Sequence, residues 1–415
     1  MNVAVVGTGI SGMVAAYLLS REHEITVFEA NDTIGGHTNT LDVTLNGRSY
    51  AVDTGFIVFN EKTYPNFLRL MRRLGLPWQD SEMSFSVKCG RTGLEFRPST
   101  LSTLFVQRRN LLRPKFYRML ADLFRFKKDS QELLQTEAGY QKTLNAFLLE
   151  KNYSSWFIDY FIVPMGSAIW SASPAQFREF PARYFTEFFE NHGFLNIQDQ
   201  PRWLVLEGGS RQYIEPLTRS YRDRIQLSCP VREIRRGPQG VVLKVDGSEP
   251  EIFDRVVIAT HSDQALSLLA DPSEAEEDIL GRIPYQENQT ILHTDHTMLP
   301  EHRAAWASWN YYIPKALQGR VAVTYDMNIL QSLDAEEEFC VSLNMGDIID
   351  RAEIIKELTY HHPVYTPDSL AARKRRDEIN GQNRTYYCGA YWYFGFHEDG
   401  VKSAMDVGRM FGVEL

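Results

Sequence analysis

The chain has 415 residues, 43% hydrophobic, 12% aromatic and 23% charged, with a net charge of −9. This composition fills a large core and excludes a disordered or low-complexity chain, and the acidic balance argues against a nucleic-acid partner. Cys89, Cys229, Cys340 and Cys388 are too widely spaced for a CxxC pair or a zinc site, and they suit a reduced, cytoplasmic protein. The length predicts two or three domains, and no apolar run reaches the ~18 residues of a membrane span.

Asn2–Val6 reads as a short buried strand, followed at once by Gly7-Thr8-Gly9-Ile10-Ser11-Gly12. An apolar helix over Met13–Leu19 comes next, then a second strand, Ile25–Phe28, which ends at Glu29-Ala30. Strand, glycines, helix, strand and acid in this order form a dinucleotide-binding unit. Gly7 allows the tight turn, Gly9 lets a pyrophosphate approach the backbone, and Gly12 lets helix and strand pack closely. The helix start, at Ile10 and Ser11, offers free N–H groups and a positive dipole end to phosphate. Glu29 is placed to accept hydrogen bonds from a ribose diol.

Gly35-Gly36-His37-Thr38 and Asp53-Thr54-Gly55-Phe56 follow. Here the chain resembles the flavin-containing amine oxidase superfamily, which includes protoporphyrinogen oxidases and phytoene desaturases. The resemblance implies that the Gly-Gly segment lies along FAD. His37 stands where the family usually has an Arg that supports the phosphates. Further blocks extend the likeness. Glu207-Gly208-Gly209-Ser210, with Tyr213, Ile214 and Leu217, is similar to the family's Gly-Gly turn opening a helix. Cys229–Ile234 is similar to the strand whose main chain, at Val231, contacts adenine. Asp254–Thr260 reads as a buried strand returning to the nucleotide fold. Cys388-Gly389-Ala390 and Asp399-Gly400-Val401 resemble the closing motif, where a strand ends at the flavin and a helix starts beneath its ring. The N–H groups of Gly400 and Val401 are expected to face the N1/C2 edge of the ring, where negative charge collects on reduction. FAD is expected to be held non-covalently.

The fold class these blocks imply is α/β: a Rossmann-like, glutathione reductase-like FAD domain with an interleaved α+β substrate domain. The FAD domain is expected in three pieces, 1–75, 195–270 and 375–415, and the substrate domain in two, 76–194 and 271–374. The first insert reads as helical and aromatic, with Phe147, Trp156, Phe157, Tyr160 and Phe161. The second carries short alternating segments, Val321–Tyr325 and Phe339–Leu343, which suit antiparallel strands. Residues 106–128 hold a net +7 interleaved with aromatic and aliphatic side chains, against −16 for the rest of the chain. Such a segment suits peripheral docking on an anionic membrane, at about 1 kcal/mol per basic residue, and equally a solvated face on a packed helix.

Substrate-pocket candidates are Tyr391, Trp392, Tyr393 and Phe396, which fall between two flavin motifs, and Trp170, at the end of an apolar turn over Pro164–Trp170. Asn310, between Trp306 and Tyr312, is a candidate for orienting a polar headgroup. His293-Thr294-Asp295-His296 has a possible metal spacing but no third ligand, so no metal is expected. Asp53–Asn60 and Trp306–Tyr312 are most similar to a group of bacterial NAD/FAD-binding amine oxidase-like proteins, often encoded near cyclopropane fatty acid synthase-like enzymes. That resemblance implies hydride transfer from a large apolar, fatty-acyl or lipid, substrate to flavin N5. The alternatives are an amine or porphyrinogen oxidase using O₂ and a redox-neutral isomerase or mutase.

Overall fold

The computed structural model describes residues 1–135, 137–192, 201–315 and 319–415. β1 (Asn2–Val6) is buried from Val3 onward and lies at the centre of a five-stranded parallel sheet. β2 (Glu24–Phe28) and Ile225–Gln226 extend it on one side, Arg255–Ile258 and Thr385–Tyr387 on the other. Alternation along β1 divides two cores. Val3 and Val5 pack under α1 (Ile10–Leu19) and the C-terminal helix His397–Met410. Ala4 and Val6 pack under an antiparallel ribbon of Val231–Gly237, Gly240–Val245 and Glu251–Phe253. With both faces covered, the strands read as continuous apolar runs. α1 is buried everywhere except Tyr17, because sheet and C-terminal helix enclose it.

A second, seven-stranded mixed sheet runs 354–363, 285–293, 340–343, 323–326, 309–313, 85–89, 95–96. Only the 309–313 and 85–89 pair is parallel. The two strand segments expected in the second insert are Val323–Asp326 and Cys340–Leu343. The first insert differs from its helical reading at its start. Trp78–Ser81, Phe85–Cys89 and Glu95–Phe96 are strands, each too short to carry a visible period, and they form through partners up to 224 residues away. The expected boundary between 194 and 195 lies outside the described residues.

Beyond residue 100 the insert is helical and builds an aromatic core that includes Phe116, Phe126, Phe147, Phe157, Trp170, Phe177 and Phe185. Pro164–Trp170 is not a turn. It belongs to the helix Val163–Trp170, entered from a π-helical turn at Ile158–Ile162. Pro164 lies directly after that π-helical turn, where the change of winding breaks the regular bonding pattern. Gly166 lets the Phe177 ring lie on the helix backbone, since a Cβ there would sit 1.8 Å from Phe177 Cζ. Gly166→Ala is expected to destabilise the protein by about 1–3 kcal/mol through overpacking, read as a lower denaturant midpoint.

Candidate flavin site

The loop after β1 turns through Gly7, whose φ is +101° and whose N–H donates to Phe28 O at 2.8 Å. A Cβ on Gly12 would stand 1.9 Å from Gly7 O, so only glycine lets α1 begin this close to the strand. A Cβ on Gly9 would meet nothing within 4 Å. The first intrahelical bond runs from Met13 N to Gly9 O at 2.9 Å. The N–H groups of Ile10, Ser11 and Gly12 therefore have no helical partner, and all three residues are buried. Gly35 and Gly36 (φ +137° and +59°) lie over this loop, and a Cβ on Gly36 would sit 3.1 Å from Gly9 Cα. Glycine-lined backbone on two sides and a helix start below form a cradle for a pyrophosphate.

Glu29 ends β2 and is 7% exposed. It accepts from Thr8 N at 2.9 Å and Thr8 Oγ1, and from Asn31 N and Nδ2 at 2.9 Å each. The carboxylate thus ties the glycine loop to the strand end. Its four acceptor positions are engaged, so a ribose diol would take the place of the Asn31 contacts, the more exposed pair. Ala30 beside it is exposed. Ser228 N donates to Asn31 O and Cys229 N to Glu29 O, both at 2.8 Å, which brings buried Val231 alongside the acid.

At the other end stands the C-terminal helix. Asp399 accepts from Phe396 N at 2.9 Å and starts the helix at His397. Gly400 N is consequently bonded to Phe396 O at 3.1 Å. The donors this helix leaves free are those of residues 397–399, one turn earlier than the Gly400 and Val401 expected from sequence. Both of those residues are buried, and a Cβ on Gly400 would meet Ile10 and Ser11. Glu398 accepts from Asn66 N at 3.1 Å and Phe67 N at 2.8 Å, capping the helix Pro65–Leu74. Burial, opposed by the Phe396 N–H and reinforced by Glu398, raises the Asp399 carboxyl to about 7.

Two polar knots join these pieces. His397 Nε2 lies 3.0 Å from Thr38 Oγ1 and 3.1 Å from Tyr213 OH, which also bond each other, and its ring stacks on Phe56 at 3.6 Å. Burial, then the nearby His37, holds this imidazole well below its usual range, so it is neutral. Asp53 accepts from Thr40 Oγ1 (2.5 Å), Ser210 N (3.0 Å), Ser210 Oγ (2.8 Å) and Gln331 Nε2 (3.1 Å). His37 stacks on Tyr360 at 4.9 Å, with His362 at 5.5 Å and His261 at 6.0 Å. Burial, then His261 and His361, lowers it to about 4. The residue standing in the arginine position is therefore neutral and offers a hydrogen bond, not a charge. None of these partners was legible from spacing.

The residues present fit a bound flavin nucleotide. The cradle is open at Gly9, and His37 Nε2, next to the Gly35-Gly36 segment that lies over it, is among the buried polar atoms without a partner. Gly389 lies against the Tyr391 ring, and Cys388 is fully buried with its thiol pushed up by burial. The protein would hold the phosphates with the Gly7–Gly12 loop and α1, and the ring end with the segment 396–401.

The pocket candidates fall into three places. Trp170 and Phe396 come together around Phe188, 4.6 and 5.1 Å from its ring, and Trp170 Nε1 donates to Phe394 O at 3.2 Å. Tyr391 and Trp392, rings 4.8 Å apart, pack with the ribbon side of the parallel sheet. Asn310 is a correction. Its amide accepts from Ser86 Oγ and Ala307 N and donates to Ala307 O and Thr324 O, so nothing remains for a headgroup. Tyr393 turns away to Asp406 and Arg376. His293 bonds Ser342 Oγ, and Asp295 caps the turn at Thr297. No cluster suited to a metal occurs among the described residues. Arg373 escaped sequence reasoning. It lies over the Tyr184 and Tyr365 rings and donates to Tyr184 OH and Tyr393 O.

Residues 10–302 match the family of flavin containing amine oxidoreductases. No curated protein matches the sequence. Several solved structures share the fold across 99% of this chain. Cyclohexylamine oxidase from Brevibacterium oxydans IH-35A is 16% identical with a TM-score of 0.70 over 99% of its own length. Wild-type putrescine oxidase bound to putrescine is 13% identical, with a TM-score of 0.70 over 99% of its length. A CLA-producing fatty acid isomerase from P. acnes is 17% identical, with a TM-score of 0.70 over 98% of its length. With that match across most of its length, this chain belongs to the flavin-containing amine oxidoreductase family and is an FAD-dependent oxidoreductase.

Proposed function

We propose that the protein removes hydride from a large apolar substrate of fatty-acyl or other lipid class. The observation that carries this reading is the wall beside the start of the C-terminal helix. The half-buried rings of Phe394 and Phe396 lie there against the buried Phe188, with Trp170 packed behind it. His192 lies 3.8 Å from Phe188 and is held near 4 by burial, so it adds no charge at neutral pH. Such a surface suits a hydrocarbon chain and penalises an unpaired cation. The likenesses to a fatty acid isomerase and to amine oxidases alike concern the shared fold and do not separate the substrate classes.

When bound, FAD supplies the hydride acceptor, and the protein's part is to place a C–H bond and keep water out. The aromatic wall does both. Neutral His397, held by Thr38 and Tyr213, fixes the backbone at the ring end without adding charge. The experiment is anaerobic mixing of the flavin-loaded protein with fatty acids and with phospholipids. Loss of visible flavin absorbance and a more unsaturated lipid product are expected, and Trp170→Ala is expected to slow that reduction about tenfold or more through misplacement of the chain. Amine-dependent H₂O₂ release with no lipid reduction would replace this reading by an amine oxidase. Conversion of a lipid without any acceptor would replace it by a redox-neutral isomerase.

A further inference from the structure

The helix Pro114–Leu134 has two opposed faces. Phe116, Met119, Phe126 and Leu133 enter the aromatic core. Asp122 is buried on the same side, accepts from Ser154 N at 2.9 Å, and meets Arg118 at 3.4 Å and Arg125 at 3.2 Å. On the outer side, Tyr117, Ala121, Phe124 and Lys128 form a stripe at i, i+4, i+7 and i+11. Tyr117 is 46% exposed and Phe124 62%. Tyr117 OH donates to Leu111 O at 3.1 Å, which seats the preceding turn, Arg108–Leu112, beside the stripe. That turn presents Leu111 and Leu112, 44% and 87% exposed. Four of the eleven large hydrophobic side chains exposed among the described residues thus lie within fourteen positions. Arg108, Arg109, Lys115, Arg118 and Lys128 surround them, all exposed.

We propose that this face docks on the surface of an anionic lipid bilayer. Leu111, Leu112, Tyr117 and Phe124 enter the headgroup region, and the surrounding basic side chains meet lipid phosphates. Charge selects both occupant and orientation. Residues 106–128 carry +7 and the remainder of the chain −16, so an anionic surface attracts this face and repels the others. Shape selects a bilayer over a protein groove, since the apolar groups project from a turn tip and an outer helix stripe. The contact is peripheral: no helix among the described residues is long and apolar enough to cross a membrane. The proposal does not depend on which substrate is oxidised.

The test is sedimentation of the flavin-loaded full chain with vesicles of phosphatidylcholine, with and without a third of phosphatidylglycerol, at low and high salt. Expected is co-sedimentation with the anionic vesicles at low salt, weakened about tenfold or more by high salt or by omission of the anionic lipid. The double variant Leu112→Glu, Phe124→Glu is expected to lose binding while keeping its flavin content and melting temperature, because both side chains are exposed. Arg108→Glu with Arg109→Glu is expected to weaken binding and flatten its salt dependence. Failure of the wild type to sediment, or double-variant binding equal to wild type, would overturn the proposal. So would light scattering that shows a dimer dissolved by the double variant, because the face would then be a protein interface.

Discussion

Gly12→Ala is expected to purify without flavin and with a lowered melting temperature. The added methyl would stand 1.9 Å from Gly7 O and 3.2 Å from Ala259 Cβ, so α1 must move off the strand. It cannot do so freely. On its far side Ile10 and Leu18 touch Gly400 and Gly408 of the C-terminal helix. Moving α1 costs stability by overpacking and carries the N–H groups of Ile10 and Ser11 away from the phosphates. A loss of about 3 kcal/mol would weaken flavin binding by roughly a hundredfold. Gly9→Ala separates the two effects. Gly9 has φ −62°, and its Cβ would meet nothing, so the apoprotein should melt like wild type. Flavin binding should still fall, because the methyl projects into the space through which the pyrophosphate approaches the backbone. Absorbance per protein and apoprotein melting, measured on both variants, check this. Equal melting of Gly12→Ala and wild type would overturn the packing argument. Wild-type flavin is expected entirely in the supernatant after denaturation, since buried Cys388 keeps its thiol protonated.

Asp53→Ala is expected to destabilise the protein by about 3–5 kcal/mol, because it leaves four buried donors on three other segments without an acceptor. The loss should appear as a lower denaturant midpoint and as faster flavin release, since Ser210 and Thr40 flank the Gly208-Gly209 turn and the Gly35-Gly36 segment. The pH dependence has a definite sign. Burial, against the Thr40 and Ser210 hydrogen bonds, raises this carboxyl from its ordinary value of 3.8 to about 6. The folded protein then holds a proton that the unfolded chain has released. This contribution to stability is present below pH 4 and is lost as pH rises from about 4 to 6. Asp53→Asn does not titrate, so the stability advantage of wild type over the variant should shrink across that window, by up to about 3 kcal/mol. Chemical denaturation of both proteins at pH 4 and pH 7 measures it. An advantage that grows with pH would mean that the four hydrogen bonds outweigh burial.

The part of the flavin site that binds phosphate was legible because its determinants are local. Gly7, Gly9 and Gly12 act through turn geometry and helix–strand distance within six residues, and Gly35-Gly36 through backbone conformation that only glycine adopts cheaply. An acid after a short strand, as at Glu29, is a local signal too. The other half rests on partners that no spacing brings together. Asp53 meets Ser210 from 157 residues away and Gln331 from 278. Phe85–Cys89 becomes a strand because 309–313 lies beside it. Asn310 reads as a free amide until Ser86 and Thr324 are seen to engage it. Pro164–Trp170 reads as an apolar turn until Phe177, from the next helix, is seen to pack on Gly166 of a helix. The amino-acid sequence by itself determined the cofactor cradle, the acidic balance and the basic segment, because short-range geometry and composition set them. Only the tertiary structure decided which buried polar groups are satisfied, which imidazoles are neutral and which apolar side chains remain in water, because burial and long-range hydrogen bonding exist only once the chain has closed on itself.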